Sequence, residues 1–190
     1  PFLALSHEAW AVKAMSLLVF NQRAAAERVF DNMLQRWPND PYALASRVHV
    51  RMQRNDTMGA IADAQALVEC HPDRSAADWF NYAFLLEQVD RLEASETAFQ
   101  RALTLDPKLD RAWYGLGLTL IRLKRFDEAV AALKRNTELQ PMSPFGWYQL
   151  ARVHVDRHEP EEARRIIGHL KGFEPKFAAQ LERETGLTAG

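Results

Sequence analysis

Few residues in this chain are placed to do chemistry. His154 and His158 stand four apart, a spacing that puts two imidazoles on one helix face and can grip a metal ion. No glutamate or third histidine stands where such a site needs it, and His154 falls on an apolar seam, so packing or capping is the expected role. Cys70-His71 closes a helical run just before Pro72. A lone cysteine among six scattered histidines is thin support for a nucleophile. The acidic pairs Asp127-Glu128 and Glu161-Glu162 sit in first helical turns, where the helix dipole favours carboxylates with no catalytic role. The basic runs around Arg122, Lys124 and Arg125 and at Lys134-Arg135 interleave with Asp127, Glu128 and Glu138, as on a solvated face. No Gly-rich phosphate loop, Ser/His/Asp set or paired-carboxylate motif occurs. The expectation is a non-catalytic protein with no cofactor and no metal.

Composition narrows the class further. The chain has 190 residues, 47% of them hydrophobic, enough for a substantial core. A formal charge of -1 gives no electrostatic case for nucleic acid. One cysteine excludes an internal disulfide. No run of about 18 apolar residues is present, so no spanning segment is expected. The start at Pro1 reads as a processed or trimmed end. A cytoplasmic location is expected, with a periplasmic or membrane-anchored one as the alternative if an upstream segment carries a signal.

The elements that would position any site announce themselves through proline. Pro38, Pro72, Pro107, Pro141 and Pro175 are separated by 34, 35, 34 and 34 residues, each after an apolar, helix-like run. Proline ends a helix because its ring clashes with the preceding turn and it lacks an N–H. A stop at that fixed period means a helical hairpin repeated in tandem. Sparse glycine and the lack of alternating Val/Ile/Thr runs point to an all-α chain.

The clearest unit is residues 110–143. Trp113, Leu116, Gly117 and Leu120 recur at helical spacing, followed by Ala129, Leu133 and Leu139 after a polar turn at Lys124-Arg125. The order W-x2-L-G-x2-L, A-x3-L, then proline resembles the tetratricopeptide repeat (TPR), with Leu120 for the usual Tyr and Leu133 for the usual Phe. Five such units follow in tandem, at about 7–40, 41–75, 76–109, 110–143 and 144–177, with a capping helix at about 177–185, read together as one domain spanning 1–190. The short units without eukaryotic accessory motifs point to a bacterial source.

Helix starts are written into several units. Ser6, Asn21, Asp40-Pro41, Asn55 or Asp56, Ser75, the Asp90/Glu93 pair and Ser143-Pro144 all suit N-terminal positions. Lys13 takes a usual leucine position and would lay its stem on the core. The second unit is the weak one. Strict register points Leu44, Arg47, Val48 and Arg51 inward, and two arginines in a packing seam are costly. Sliding by one residue brings in Ala45, Val48, His49 and Met52, which suits the extra residue of this unit and is the expected register. The tail carries Phe177 and Leu181 four apart and ends at Gly186.

The resemblance implies a right-handed superhelical solenoid of helix-turn-helix repeats. The first helix of each would line a concave groove that binds a protein or peptide. Carried onto this chain, the groove residues are Met15, Phe80, Asn81, Phe84, Arg111, Tyr114, Leu118, Arg122, Phe145, Tyr148, Gln149 and Arg152. None is assigned in the second unit. The aromatics among them are a second set beyond the packing seam, and large aromatics on an open face mark interaction sites. Packing of some of them against a neighbouring hairpin is the alternative. Arg122 has Glu87, and Arg152 has Asp156, as local partners. The carboxylate clamp of chaperone-binding members is not expected, since Asn81 matches one position but Ala11 and Phe80 stand where lysines belong. The expected partner is a segment with apolar side chains, and the expected role a scaffold or adaptor in complex assembly. The alternatives are a recruiting domain of a larger enzyme or membrane-anchored protein, or a self-association module, with a homodimer through the apolar first repeat.

Overall fold

The computed structural model describes residues 6–189 and places eleven helices among them. They are α1 (His7–Val19), α2 (Arg23–Arg36), α3 (Pro41–Gln53), α4 (Thr57–Cys70), α5 (Ala76–Gln88), α6 (Leu92–Leu105), α7 (Asp110–Arg122), α8 (Phe126–Leu139), α9 (Pro144–Asp156), α10 (Pro160–Lys171) and α11 (Pro175–Thr185). The chain divides into two compact units with the boundary after Leu86.

The turns inside the hairpins share one device. Asn21, Asn55, Asp90, Lys124 and His158 all have φ between 58° and 61°, and their separations of 34, 35, 34 and 34 residues repeat those of the prolines. A left-handed residue just past a helix lets the next N–H turn back to the last carbonyls. Gln22, Asp56, Arg125 and Glu159 do so, bonding to Leu17, Arg51, Leu120 and His154 at 2.8–2.9 Å. Asn21 and Asp90 are therefore turn residues, not caps. The following helices start from Gln22 and Arg91, neither of which makes a side-chain cap bond. Ser6, Asp40 and Asp56 do cap, accepting from the N–H groups of Ala9, Ala43 and Gly59. Lysine has no special tolerance for the left-handed region, which costs an ordinary side chain about 1–2 kcal/mol. Part of that is recovered with glycine, so Lys124→Gly is expected to raise stability by about 0.5–1 kcal/mol in urea unfolding, and Lys124→Val to lower it.

Between hairpins, tryptophan replaces a missing backbone bond. The indole N–H groups of Trp79, Trp113 and Trp147 donate to the carbonyls of Pro72, Pro107 and Pro141 at 2.7, 2.8 and 2.9 Å. Trp79 lies seven residues past its proline and the other two six. The extra residue of the second repeat is thus in the α4–α5 connection, residues 71–75, where the α2–α3, α6–α7 and α8–α9 connections have four. Nothing is inserted in α3, so the slid register is wrong and the strict one holds. Ala43, Leu44, Val48 and Val50 are buried and His49 is exposed. Arg47 and Arg51 point inward because acids on two other helices receive them. Arg47 bonds Asp31 of α2 at 2.7 Å and Asp63 of α4 at 2.6 and 2.8 Å. Arg51 reaches Glu27, Asp63 and the Gly59 carbonyl at 3.0–3.1 Å.

In the first unit Ala14, Ala26, Phe30, Met33 and Ala43 are fully buried, with Trp10, Trp37 and Tyr42 against them. The Lys13 ammonium sits over the Trp10 ring, 5.6 Å from its centroid, and the side chain stays exposed. In the second unit Leu133, Val153, Ile167 and Leu170 form the centre, and Ala178 and Leu181 of α11 are buried against them. Proline at Pro175 opens α11 and does not end a preceding helix. The helix ends at Gly186, whose φ of 71° suits glycine.

Candidate functional site

In the first unit, the exposed part of α5 carries Phe80 and Phe84 one turn apart, stacked at 6.3 Å with 13° between rings. Phe84 is 37% exposed and Phe80 half-buried. Asn81 stands between them and lines a small hollow with His49 and Asp78. The strict register of α3 adds residues that sequence reasoning left unassigned. Ser46, His49 and Gln53 border a depression of about 280 Å³ with Leu18, Asn21 and Arg23. Its cation is engaged, since the Arg23 Nε donates to Gln53 at 2.7 Å. Met15 lies on α1 and is 53% exposed.

In the second unit the predicted residues differ in exposure and in what they pack against. Phe145 is 57% exposed, although its ring meets Phe177 of α11 edge-on at 5.5 Å. Leu118 and Gln149 are half-buried, and Arg111 is exposed. Tyr114 packs on the core cluster, as does Tyr148, so packing claims part of both. Arg122 bonds the Glu87 carbonyl at 3.0 Å and forms ion pairs with the Glu87 and Asp90 carboxylates.

The partner of Arg152 comes from the tail. Glu184 of α11 accepts from the Tyr148 hydroxyl at 2.5 Å and from Arg152 at 3.0 Å. Gln180, one turn back, donates to Glu184 at 2.8 Å and to the Tyr148 oxygen at 3.3 Å. Sequence reasoning passed over Gln180 and Glu184. Their signal was their spacing of four on the tail helix, which puts both on one face. The Tyr148 hydroxyl first, then Gln180 and the Arg152 charge, hold the Glu184 carboxyl below its ordinary pKa. A depressed carboxyl contributes stability that is present above its unfolded pKa and is lost as pH falls through the folded one. The seating of α11 is thus expected to loosen in acid, below the ordinary glutamate range. Tyr148→Phe is expected to move the Glu184 titration upward, read from its carboxyl carbon shift by NMR.

His154 is buried and its Nδ1 lies 2.6 Å from the Glu159 carboxylate. The histidine hydrogen bond is the main reason the Glu159 pKa is lowered, assisted by Arg157. His158 holds the left-handed turn. Among the described residues no three His, Cys, Asp or Glu side chains gather as a metal would need, and no helix is long and apolar enough to cross a membrane.

Residues 83–144 match the family model described as tetratricopeptide repeat. No curated protein matches the chain. Among solved structures, YrrB, described as a TPR protein with an unusual peptide-binding site, superposes with a TM-score of 0.83 at 16% identity, covering 92% of this chain and 91% of its own. MamA gives 0.79 at 18% identity, covering 97% and 99%. A tetratricopeptide repeat protein from Parabacteroides merdae gives 0.82 at 18%, covering 94% and 73%. With the periodic turns, the tryptophan-to-proline bonds and the match to the family model over its central repeats, the chain has the fold of tetratricopeptide-repeat proteins, and residues 83–144 carry that repeat.

Proposed function

We infer that the chain is a non-catalytic scaffold or adaptor in complex assembly. It binds a protein or peptide segment through the open faces of the first helices of its repeats, with the five repeats and tail helix serving as one domain. The observation that carries this reading is the contrast between aromatics and cations. Phe84 and Phe145 keep much of their surface in water, with Phe80 stacked behind Phe84. The guanidinium groups of Arg122 and Arg152 are already paired with Glu87, Asp90 and Glu184. A ligand therefore gains most from apolar side chains laid on rings, and least from a carboxylate. Rings offer wide contact area at low entropy cost, and a face built on packed helices is ordered before the ligand arrives. YrrB, which shares the fold, is described as having a peptide-binding site, and this agrees with the reading.

Selection of a displayed random-peptide library on the immobilised protein tests it. Enriched sequences rich in Leu, Ile, Met and aromatic residues are expected, with binding little changed by added salt. Enrichment of acidic sequences eluted by salt would replace this reading with an ionic one.

A further inference from the structure

We propose that the outer face of α1 is a two-fold contact with a second copy of this chain. Met15 belongs both to this face and to the groove set, while Val12, Ser16, Val19 and Phe20 lie outside that set. Ala11, Val12, Met15, Ser16, Val19 and Phe20 line an open depression of about 380 Å³, and none of them is charged. Val12 is 66%, Val19 77% and Phe20 74% exposed, an unusual concentration of apolar surface on one helix.

The repeat itself shows what this face is for. Ser16 occupies the position held by Val50, Leu85, Thr119 and Val153 in the later repeats, all of which are 0–2% exposed. Val12 corresponds to Gly115, where an added Cβ would lie 2.4 Å from the Phe99 ring on α6, the second helix of the preceding hairpin. The Ser16 position is therefore buried in the later first helices, whereas the positions of Met15 and Val19 stay open in them, at His49, Phe84 and Arg152 and at Gln53, Gln88, Arg122 and Asp156. On α1 the Ser16 and Val12 side has no helix against it among the described residues. Its hydroxyl makes no demand on a partner, because Ser16 Oγ donates to the Val12 carbonyl at 3.0 Å.

Three observations select a second copy as the occupant. A head-to-tail contact would place α1 of one copy on α10 of the next, but α11 already covers the α9–α10 hairpin, with Ala178 and Leu181 fully buried there. A two-fold contact needs only this one face, and an uncharged apolar row is compatible with itself when two such helices cross. The exposed parts of Val12, Met15, Val19 and Phe20 come to on the order of 500 Å² per copy, so a pair buries on the order of 1,000 Å², the lower limit of a specific interface. That size fits a reversible dimer.

Light scattering and sedimentation velocity from about 1 to about 300 µM test the proposal. The wild type is expected to rise from 21.7 kDa toward twice that mass. Met15→Glu and, separately, Val19→Glu are expected to stay at one chain mass with unchanged helical circular dichroism, since both positions are exposed. Phe84→Ala, away from α1, should dimerise like the wild type. A wild type that remains monomeric throughout, or a dimer that persists in both glutamate variants, would overturn the proposal.

Discussion

Asp63→Ala is expected to destabilise the first unit by about 3 kcal/mol, a large effect for one side chain in a repeat. Asp63 is 3% exposed and both its oxygens are occupied. Oδ1 accepts from Arg47 Nη2 at 2.6 Å, while Oδ2 accepts from Arg47 Nε at 2.8 Å and from Arg51 Nη1 at 3.0 Å. Burial alone would push the Arg47 pKa down, but the hydrogen bonds to Asp63 and Asp31 outweigh it and leave the value raised. An arginine guanidinium keeps its charge even without Asp63, so a half-buried cation is left with part of its donors unmet. Asp31 and Glu27 remain, which keeps the loss near the lower end for a broken buried pair. Urea unfolding followed by circular dichroism reads the change. Replacing Arg47 and Arg51 by Met together with Asp63 by Leu should cost far less, because then no charge is stranded. If Asp63→Ala is neutral, the network is ornamental and the strict register of α3 needs another explanation.

That register shows where the sequence was legible and where it was not. The prolines and tryptophans fix the repeat because they act within a few residues of themselves, by ending a helix or bonding a nearby carbonyl. The inward arginines looked expensive because their cost is local and their relief is not. Asp31 and Asp63 lie sixteen residues away on either side, on different helices, and only the fold brings them in. The Trp79–Pro72 spacing, one longer than its counterparts, did carry the position of the inserted residue. Asn21 and Asp90 suit helix caps by type, yet the period places them with Lys124 and His158 in left-handed turns, and the period is the stronger signal. On the candidate site, sequence separated seam from face by position alone. It had no means to show that Glu184 would engage Tyr148 and Arg152, because nothing in the repeat pattern predicts how a tail helix seats.

The second large effect concerns binding. Truncating Phe84 and Phe145 together is expected to weaken an apolar peptide ligand by roughly 100-fold, which is about 1.4 kcal/mol for each aromatic anchor removed. Both rings are substantially exposed, so little stability should be lost with them. Tyr148→Ala is a poorer probe, because it would also release Glu184 and the seating of α11.

The most direct measurement is a fluorescence-anisotropy titration of a library-selected apolar peptide against wild type, Phe84→Ala/Phe145→Ala and a back-helix control, Arg135→Ala, each at low and high salt. The predicted result is a shared affinity for wild type and control that salt barely alters, and a roughly 100-fold loss in the double variant. Equal binding by all three, or binding that salt abolishes, would contradict the claim that the aromatic faces of the first helices carry the function.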